Sequence, residues 1–238
     1  MAYSAIDIGP LVINRTAIAL YGGTRVYNNN TANATGVLTV FETWFVTTGS
    51  GLKMGTFSGG GTSYDDRDYE SIGNVTAGSK QTFTGKNCDV SSGDKLGAYW
   101  LGGYVEATGG VVGGYIKEGD QFGSGSRTYG TYNNEDSFCA TGVTVPDAPT
   151  SVSATDNLTD KVTITWTPGT GETGGHRVYR DGGDISGVVA NGTSTYDDTT
   201  AVAGTTYSYT VKSINAAGLS AASIADNGII IKPKIIIF

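Results

Sequence analysis
Short runs in which apolar and polar residues alternate recur along this chain, each cut off by glycine, Asn or Asp. In Val162-Thr163-Ile164-Thr165-Trp166 the residues Val162, Ile164 and Trp166 fall on one face, as do Tyr207, Tyr209 and Val211 further on. A period of two is that of a β-strand with one buried side. No stretch of helix length carries apolar residues at 3.6-residue spacing between caps. The 238 residues include 37 glycines and only 5 prolines. That balance suits tight turns, because glycine adopts positive φ at little steric cost. The expected fold class is all-β.

Within residues 1–145 the runs include Ala17–Leu20, Val37–Val46, Lys95–Trp100, Tyr104–Ala107 and Val111–Ile116. Asn28-Asn29-Asn30, Gly59-Gly60-Gly61, Ser92-Gly93-Asp94 and Asn133-Asn134 separate them. Strands at this spacing predict one jelly-roll-like β-sandwich over 1–145. Val145-Pro146-Asp147-Ala148-Pro149 then marks a hinge, giving a linker at 146–150, a second domain at 151–225 and a tail at 226–238.

The second domain contains Ser151-Val152-Ser153-Ala154, the Trp166 strand, His176–Arg180, the turn Asp181-Gly182-Gly183, Tyr207–Val211 and Asn215–Ser220. In this order and spacing, residues 148–225 resemble the fibronectin type III family. The resemblance implies two packed antiparallel sheets with Trp166 in the core and the Tyr207 hydroxyl bonded back to a nearby loop. Arg180-Asp181-Gly182 is not Arg-Gly-Asp, so integrin-type adhesion gains no support. In the first domain, Ile72–Phe83 and Asp89–Gly97, with the opening Ala5–Gly9, resemble a jelly-roll type found in bacteriophage and environmental bacterial proteins. That resemblance implies a virion or cell-surface role.

The chain carries a formal net charge of −7, divided as −4 over 1–145 and −3 beyond. Neither part has the basic face that phosphate-backbone binding requires, so no nucleic-acid partner is expected. The N-terminus has no basic region followed by an apolar stretch, and no run of about 18 apolar residues occurs, so neither a signal peptide nor a membrane span is expected. Cys88 and Cys139 read as reduced thiols, with a single disulfide as the alternative.

Catalytic constellations are hard to assemble. A lone His176 beside Gly174-Gly175 makes no nucleophile–histidine pair within the chain, and two distant cysteines make no zinc site. Asp65-Asp66-Arg67-Asp68-Tyr69-Glu70 is the densest charge run; Arg67 in its middle favours a solvated loop or edge over a calcium site. Asp94 and Asp120 each follow glycine and read as turns rather than a glycosidase dyad. The glycine runs lack the Lys-Ser/Thr of a phosphate loop. The expectation is therefore a non-enzyme with no cofactor and no metal.

Aromatic residues offer a binding alternative. Tyr99, Trp100, Tyr104, Tyr115, Tyr129 and Tyr132 crowd the second half of the first domain, and exposed rings bind sugar faces or protein partners. Tyr99, Trp100 and Tyr104 are the candidate ligand-facing rings, with neighbours Tyr99 and Trp100 on opposite faces of one strand. The tail supplies the other candidate surface: Ile229, Ile230, Ile231, Ile235, Ile236, Ile237 and Phe238 flank Lys232-Pro233-Lys234. With Ser220–Ile224 taken as the last strand of the second domain, this tail is expected to add to a neighbouring subunit. Removing 229–238 would then leave a folded but unassembled monomer. The alternative places 229–231 or 235–237 in the domain's own final strand. Together these features predict a structural or binding protein on a bacteriophage virion surface: a capsid decoration, head fibre or tail-associated fibre. Its partners would be other virion proteins or copies of itself, with cell-surface glycans as a further class. The alternative is a secreted bacterial carbohydrate-binding module with a type III spacer.

Overall fold
The computed structural model describes residues 5–232, whose regular structure is β-strand throughout. The chain divides into two compact units after Thr144. The first begins with β1 (Ala5–Ile8), β2 (Ala17–Ala19), β3 (Gly23–Tyr27), β4 (Gly36–Trp44), β5 (Gly49–Gly60), β6 (Ser63–Val75) and β7 (Lys80–Phe83). It continues with β8 (Cys88–Val90), β9 (Lys95–Tyr99), β10 (Val105–Glu118), β11 (Arg127–Thr128), β12 (Gly130–Asp136) and β13 (Phe138–Thr144). A five-stranded sheet runs β1-β13-β4-β7 with β8 also on β4. An eight-stranded sheet runs β11-β6-β5-β9-β3-β10-β12 with β2 also on β10.

The main core lies between these two sheets. Ile6, Ile8, Leu38, Phe41 and Phe138 come from the smaller sheet, and Tyr27, Leu52, Met54 and Leu96 from the larger, with Trp100 just beyond β9. Burying each such side chain stabilises by about 1.5–3 kcal/mol. The Trp100 ring is fixed by Phe138 at 5.3 Å and by Phe45, edge-on, at 6.0 Å.

The opposite face of the large sheet carries a second, aromatic cluster of Val26, Phe57, Tyr64, Tyr99, Phe122 and Tyr129. A register shift between Thr56 and Phe57 separates inward-facing Met54 from outward-facing Phe57. Gly97 lets the Phe57 ring lie on the sheet, since a Cβ there would sit 2.2 Å from a ring carbon. The segment after β10 that supplies Phe122 is held by the Asp66 carboxylate, which accepts from the Gly123 and Gly125 amides at 2.7 and 3.0 Å.

The second unit comprises β14 (Thr150–Ala154), β15 (Val162–Thr167), β16 (Gly175–Arg180), β17 (Gly183–Asp184), β18 (Thr195–Asp198), β19 (Thr206–Asn215), β20 (Gly218–Leu219) and β21 (Asp226–Ile229). One sheet is β14-β15-β18; the other is β17-β16-β19 with β20 and β21 both on β19. Val162, Ile164 and Trp166 fall on the buried side of β15 and join Val178, Tyr209, Val211 and Ile230 in the core. The bonded tyrosine hydroxyl is Tyr209's, not Tyr207's: it donates to the buried Asp198 carboxylate at 2.9 Å. Tyr207 lies instead beneath the Arg180 guanidinium, 4.8 Å from its ring centre. Both tyrosines lie on the core-facing side of β19, but Tyr209 is the one buried beside Asp198, while Tyr207, nearer the strand's start, is only partly covered.

The tail is corrected for residues 229–231. Ser220–Ile224 does not form a regular last strand; the ladder passes through it by way of serine hydroxyls. Ser220 Oγ and Ser223 Oγ accept from the Ser213 and Val211 amides at 2.9 and 3.0 Å. Regular pairing resumes in β21, where Thr206–Tyr209 face Ile229–Asp226. Ile230 is 4% exposed and packs in the same core. Ile229 and Ile230 therefore complete their own domain, Ile231 is tied to it by its amide on the Leu158 carbonyl with its side chain exposed, and 226–229 is sheet rather than tail. Ile235, Ile236, Ile237 and Phe238 lie outside the described residues.

His176 also turns inward. It is fully buried, its ring lies 5.2 Å from that of Trp166, and neither ring nitrogen has a hydrogen-bond partner among the described residues. Burial lowers its pKa below the ordinary histidine value, against a smaller opposing pull from Glu172. The native state thus holds a neutral ring, while the unfolded chain protonates near pH 6.5. Stability contributed by this difference is present above about pH 6.5 and is lost as pH falls toward the lower native pKa. Between pH 7.5 and 5.5 the type III unit is expected to lose up to about 1 kcal/mol from this source. In urea unfolding, His176→Leu should flatten that part of the pH dependence; an unchanged slope in the variant would assign it to other groups.

Candidate binding cleft
One end of the first sandwich holds a cleft of about 610 Å³. Its walls are the turn that joins β2 to β3 (Leu20–Gly23), the end of β10 (Ile116–Gly119) and the Tyr132 and Asn134 positions of β12. The turn is tight because Gly22 takes φ +101°, a conformation costly for a residue with a side chain. Three backbone bonds stitch the walls together: Gly22 N–H to Trp100 C=O at 3.2 Å, Gly119 N–H to Gly22 C=O at 2.9 Å and Thr24 N–H to Gly119 C=O at 3.1 Å.

Arg25 forms the floor. The pairings Arg25–Ile116 and Tyr27–Gly114 put Arg25 and Tyr27 on the inner face of β3, and the same alternation puts Tyr132, Asn134 and Asp136 on one face of β12. The guanidinium lies 4.3 Å from the Trp100 ring centre and 5.0 Å from that of Tyr132. It donates to the Leu20 and Gly23 carbonyls and pairs through Nε with Asp136 Oδ2 at 3.2 Å. Asp136 is fully buried and accepts from the Tyr27 hydroxyl at 2.7 Å and the Tyr132 hydroxyl at 3.1 Å. Burial raises its carboxyl above the ordinary range, while Arg25 and the two hydroxyls pull the other way. Burial likewise raises the Tyr27 and Tyr132 hydroxyls, and the Asp136 charge adds to it. Every charged group at the floor is thus consumed by a neighbour.

The rim is different. Ile18, Leu20 and Tyr21 are 48, 59 and 54% exposed, and Glu118 is exposed beside them. Half-exposed aliphatic and aromatic groups around a concave, glycine-walled site make a surface suited to binding.

The rings singled out in the sequence do not meet on one surface. Trp100 is fully buried, and its indole N–H donates to the Gly103 carbonyl at 3.2 Å, so it faces no ligand. Tyr99, 9% exposed, does point to the opposite face, but there it packs in the aromatic cluster with Tyr129. Tyr104 is half-buried on the segment between β9 and β10. Of the six crowded aromatics only Tyr132 reaches the cleft. Tyr21, Arg25 and Asn134 were missed; the one trace in the sequence is an aromatic residue directly before Gly22-Gly23 at the end of an apolar run.

The acidic run belongs to β6 and lies along an edge of the large sheet, since β11 pairs only with Ser63 and Tyr64; of the two expected settings, loop or edge, it is the edge. Asp68 and Glu70 accept from the Asp89 and Asn87 amides at 2.8 and 3.0 Å, bracing the segment that leads to β8. Among the described residues no group of three or more His, Cys, Asp or Glu is placed to hold a metal ion. Asp94 pairs with Arg67 at 2.6 Å and Asp120 with Lys53, so each acid has its own cation. Cys88 and Cys139 are free thiols. Burial raises both pKa values, Cys139 to about 12 with help from Glu42.

The architecture of the second unit, a three-stranded sheet facing a larger one around a tryptophan, is that of an immunoglobulin-like sandwich module. Residues 147–225 match the fibronectin type III domain family, and this part of the chain is a fibronectin type III domain. No curated protein matches the chain. Among solved structures, a Fn3-like protein from Clostridium thermocellum is 24% identical with a TM-score of 0.32, over 39% of this chain and 98% of that one. A two-domain fibronectin type III segment of chicken tenascin is 12% identical with a TM-score of 0.35, over 90% of this chain and 98% of that one. A β-1,2-glucanase from Parabacteroides distasonis is 14% identical with a TM-score of 0.32, over 84% of this chain but 28% of that one. At these TM-scores none of the three bears on ligand or chemistry.

Proposed function
We propose that the chain is a non-enzymatic recognition protein on the surface of a bacteriophage particle, with the N-terminal sandwich as the binding unit and the type III domain as its spacer. The observation that carries the binding role is the contrast within the cleft. Its rim is open and partly apolar, whereas its ionisable floor, Arg25 with Asp136, is closed by mutual pairing. A carboxylate that is fully buried and bonded on both oxygens is poorly placed to move a proton to a substrate. The thiols, with pKa values raised by burial, and the buried His176 argue the same way. The virion setting rests on the resemblance of Ile72–Phe83 and Asp89–Gly97 to a jelly-roll type of bacteriophage proteins; the type III domain fits a spacer, but its fold fixes no setting. Quantitative mass spectrometry of purified particles is expected to find the protein in a fixed, multiple copy number. Recovery only from particle-free medium would sink the virion setting and favour the second reading, a secreted carbohydrate-binding module with its spacer. The half-exposed Tyr21 at the cleft rim is the observation that keeps that second reading in play.

A further inference from the structure
We infer that the Tyr21 cleft is a binding site for a neutral saccharide; this rests on the reading of the N-terminal sandwich as the recognition unit. The argument is one of chemical fit. An anionic ligand needs an available cation, and the cleft's Arg25 is 3% exposed, stacked between two rings and neutralised by Asp136. The charge left facing solvent is the Glu118 carboxylate, which repels anions and can accept from a hydroxyl. A wholly apolar ligand would cover the exposed Glu118 carboxylate without giving it a partner. A sugar ring answers both sides of the cleft, since its C–H face packs on an aromatic or aliphatic surface while its hydroxyls bond to the Glu118 carboxylate and the Asn134 amide.

The geometry matches that division. Tyr21, Leu20 and Ile18 supply the apolar rim, and Glu118 and Asn134 the polar wall. A Cβ at Gly22 would meet nothing within 4 Å, and one at Gly119 only the end of Gln121, so both glycines leave the approach to their backbone open. The volume of about 610 Å³ lies inside the range of about 300–1,000 Å³ usual for small-ligand sites. The stitched walls and the Trp100–Arg25–Tyr132 stack hold the site in shape before a ligand arrives, which lowers the ordering cost of binding.

The full-length chain should be applied to a microarray of neutral oligosaccharides (gluco-, manno-, xylo- and galacto-configured) beside uronic and sialylated ones, and hits titrated by calorimetry. Capture of one or more neutral glycans is expected. Tyr21→Ala should raise Kd by about tenfold through loss of the stacking surface, and Glu118→Gln should weaken binding less. Tyr69→Ala, an exposed ring outside the cleft, should leave Kd unchanged. Near-UV circular dichroism reports whether each variant keeps its fold. Capture of acidic glycans alone, of no glycan, or capture insensitive to Tyr21→Ala overturns the assignment. A blank array alongside a fixed copy number on particles would remove the ligand class and leave the proposed setting standing; the reverse pair of results would do the opposite.

Discussion

A chain truncated after Gly228 is expected to lose the cooperative unfolding transition of its type III domain, whereas one ending at Lys232 keeps it. Three backbone bonds leave with residues 229–231: Ile229 N–H to Thr155 C=O at 3.1 Å, Gly204 N–H to Ile230 C=O at 2.8 Å and Ile231 N–H to Leu158 C=O at 2.8 Å. At about 1 kcal/mol each these matter less than the core. Ile230 is 4% exposed, and removing such a side chain costs about 2–5 kcal/mol because the surrounding core cannot collapse into the gap. The sum is comparable with the whole stability of a domain, about 5–15 kcal/mol. Differential scanning calorimetry of the two truncations beside the full chain decides the matter. A retained type III transition in the shorter chain would return these isoleucines to the role of a free assembly strand.

Asp136→Ala should destabilise the N-terminal sandwich by about 3–5 kcal/mol, because it leaves the Arg25 guanidinium buried without a counter-charge. The side chains of this pair are 4 and 0% exposed, so water cannot take over the role of the lost carboxylate. Tyr27 and Tyr132 also lose their acceptor. For a domain of this length the expected fall in Tm is about 10 °C, read on the transition of the first unit. The double change Arg25→Met/Asp136→Leu should recover most of it, since matched apolar replacement of a buried pair is often close to neutral. A double variant as unstable as Asp136→Ala would mean that the loss comes from shape at the cleft floor and not from the stranded charge.

The two predictions fall where the sequence was hardest to read. Alternation at Val162–Trp166 and Tyr207–Val211 was legible because a strand's side-chain period is two, whatever its partners. The same rule picked out the buried row of β19 but not which tyrosine would find an acceptor. That depended on Asp198, at the end of a strand in the opposite sheet. The isoleucines at 229–231 read as surplus because Ser220–Ile224 has the length and place of a last strand. No local pattern announces that serine hydroxyls will take the place of ladder carbonyls opposite Ser213 and Val211. Trp100 misled for a related reason: neighbours on a strand point to opposite faces, but each face here has its own packed cluster, so neither ring is free.

The residue pattern by itself determined that the chain is all-β, that it changes character near Val145, and that residues 148–225 have the phrasing of a type III domain. These are properties of period, turn chemistry and spacing, which act over a few residues at a time. Only the tertiary structure decided where a surface could bind. The cleft joins Tyr21 and Arg25 to Ile116, Tyr132 and Asn134, brought together by pairing β3 with β10 and β10 with β12 across about a hundred residues of chain. It also decided that the Arg25 and Asp136 charges would be spent on each other. Charge, burial and register meet there through contacts distant in sequence, and such contacts leave no mark on the spacing of the residues that make them.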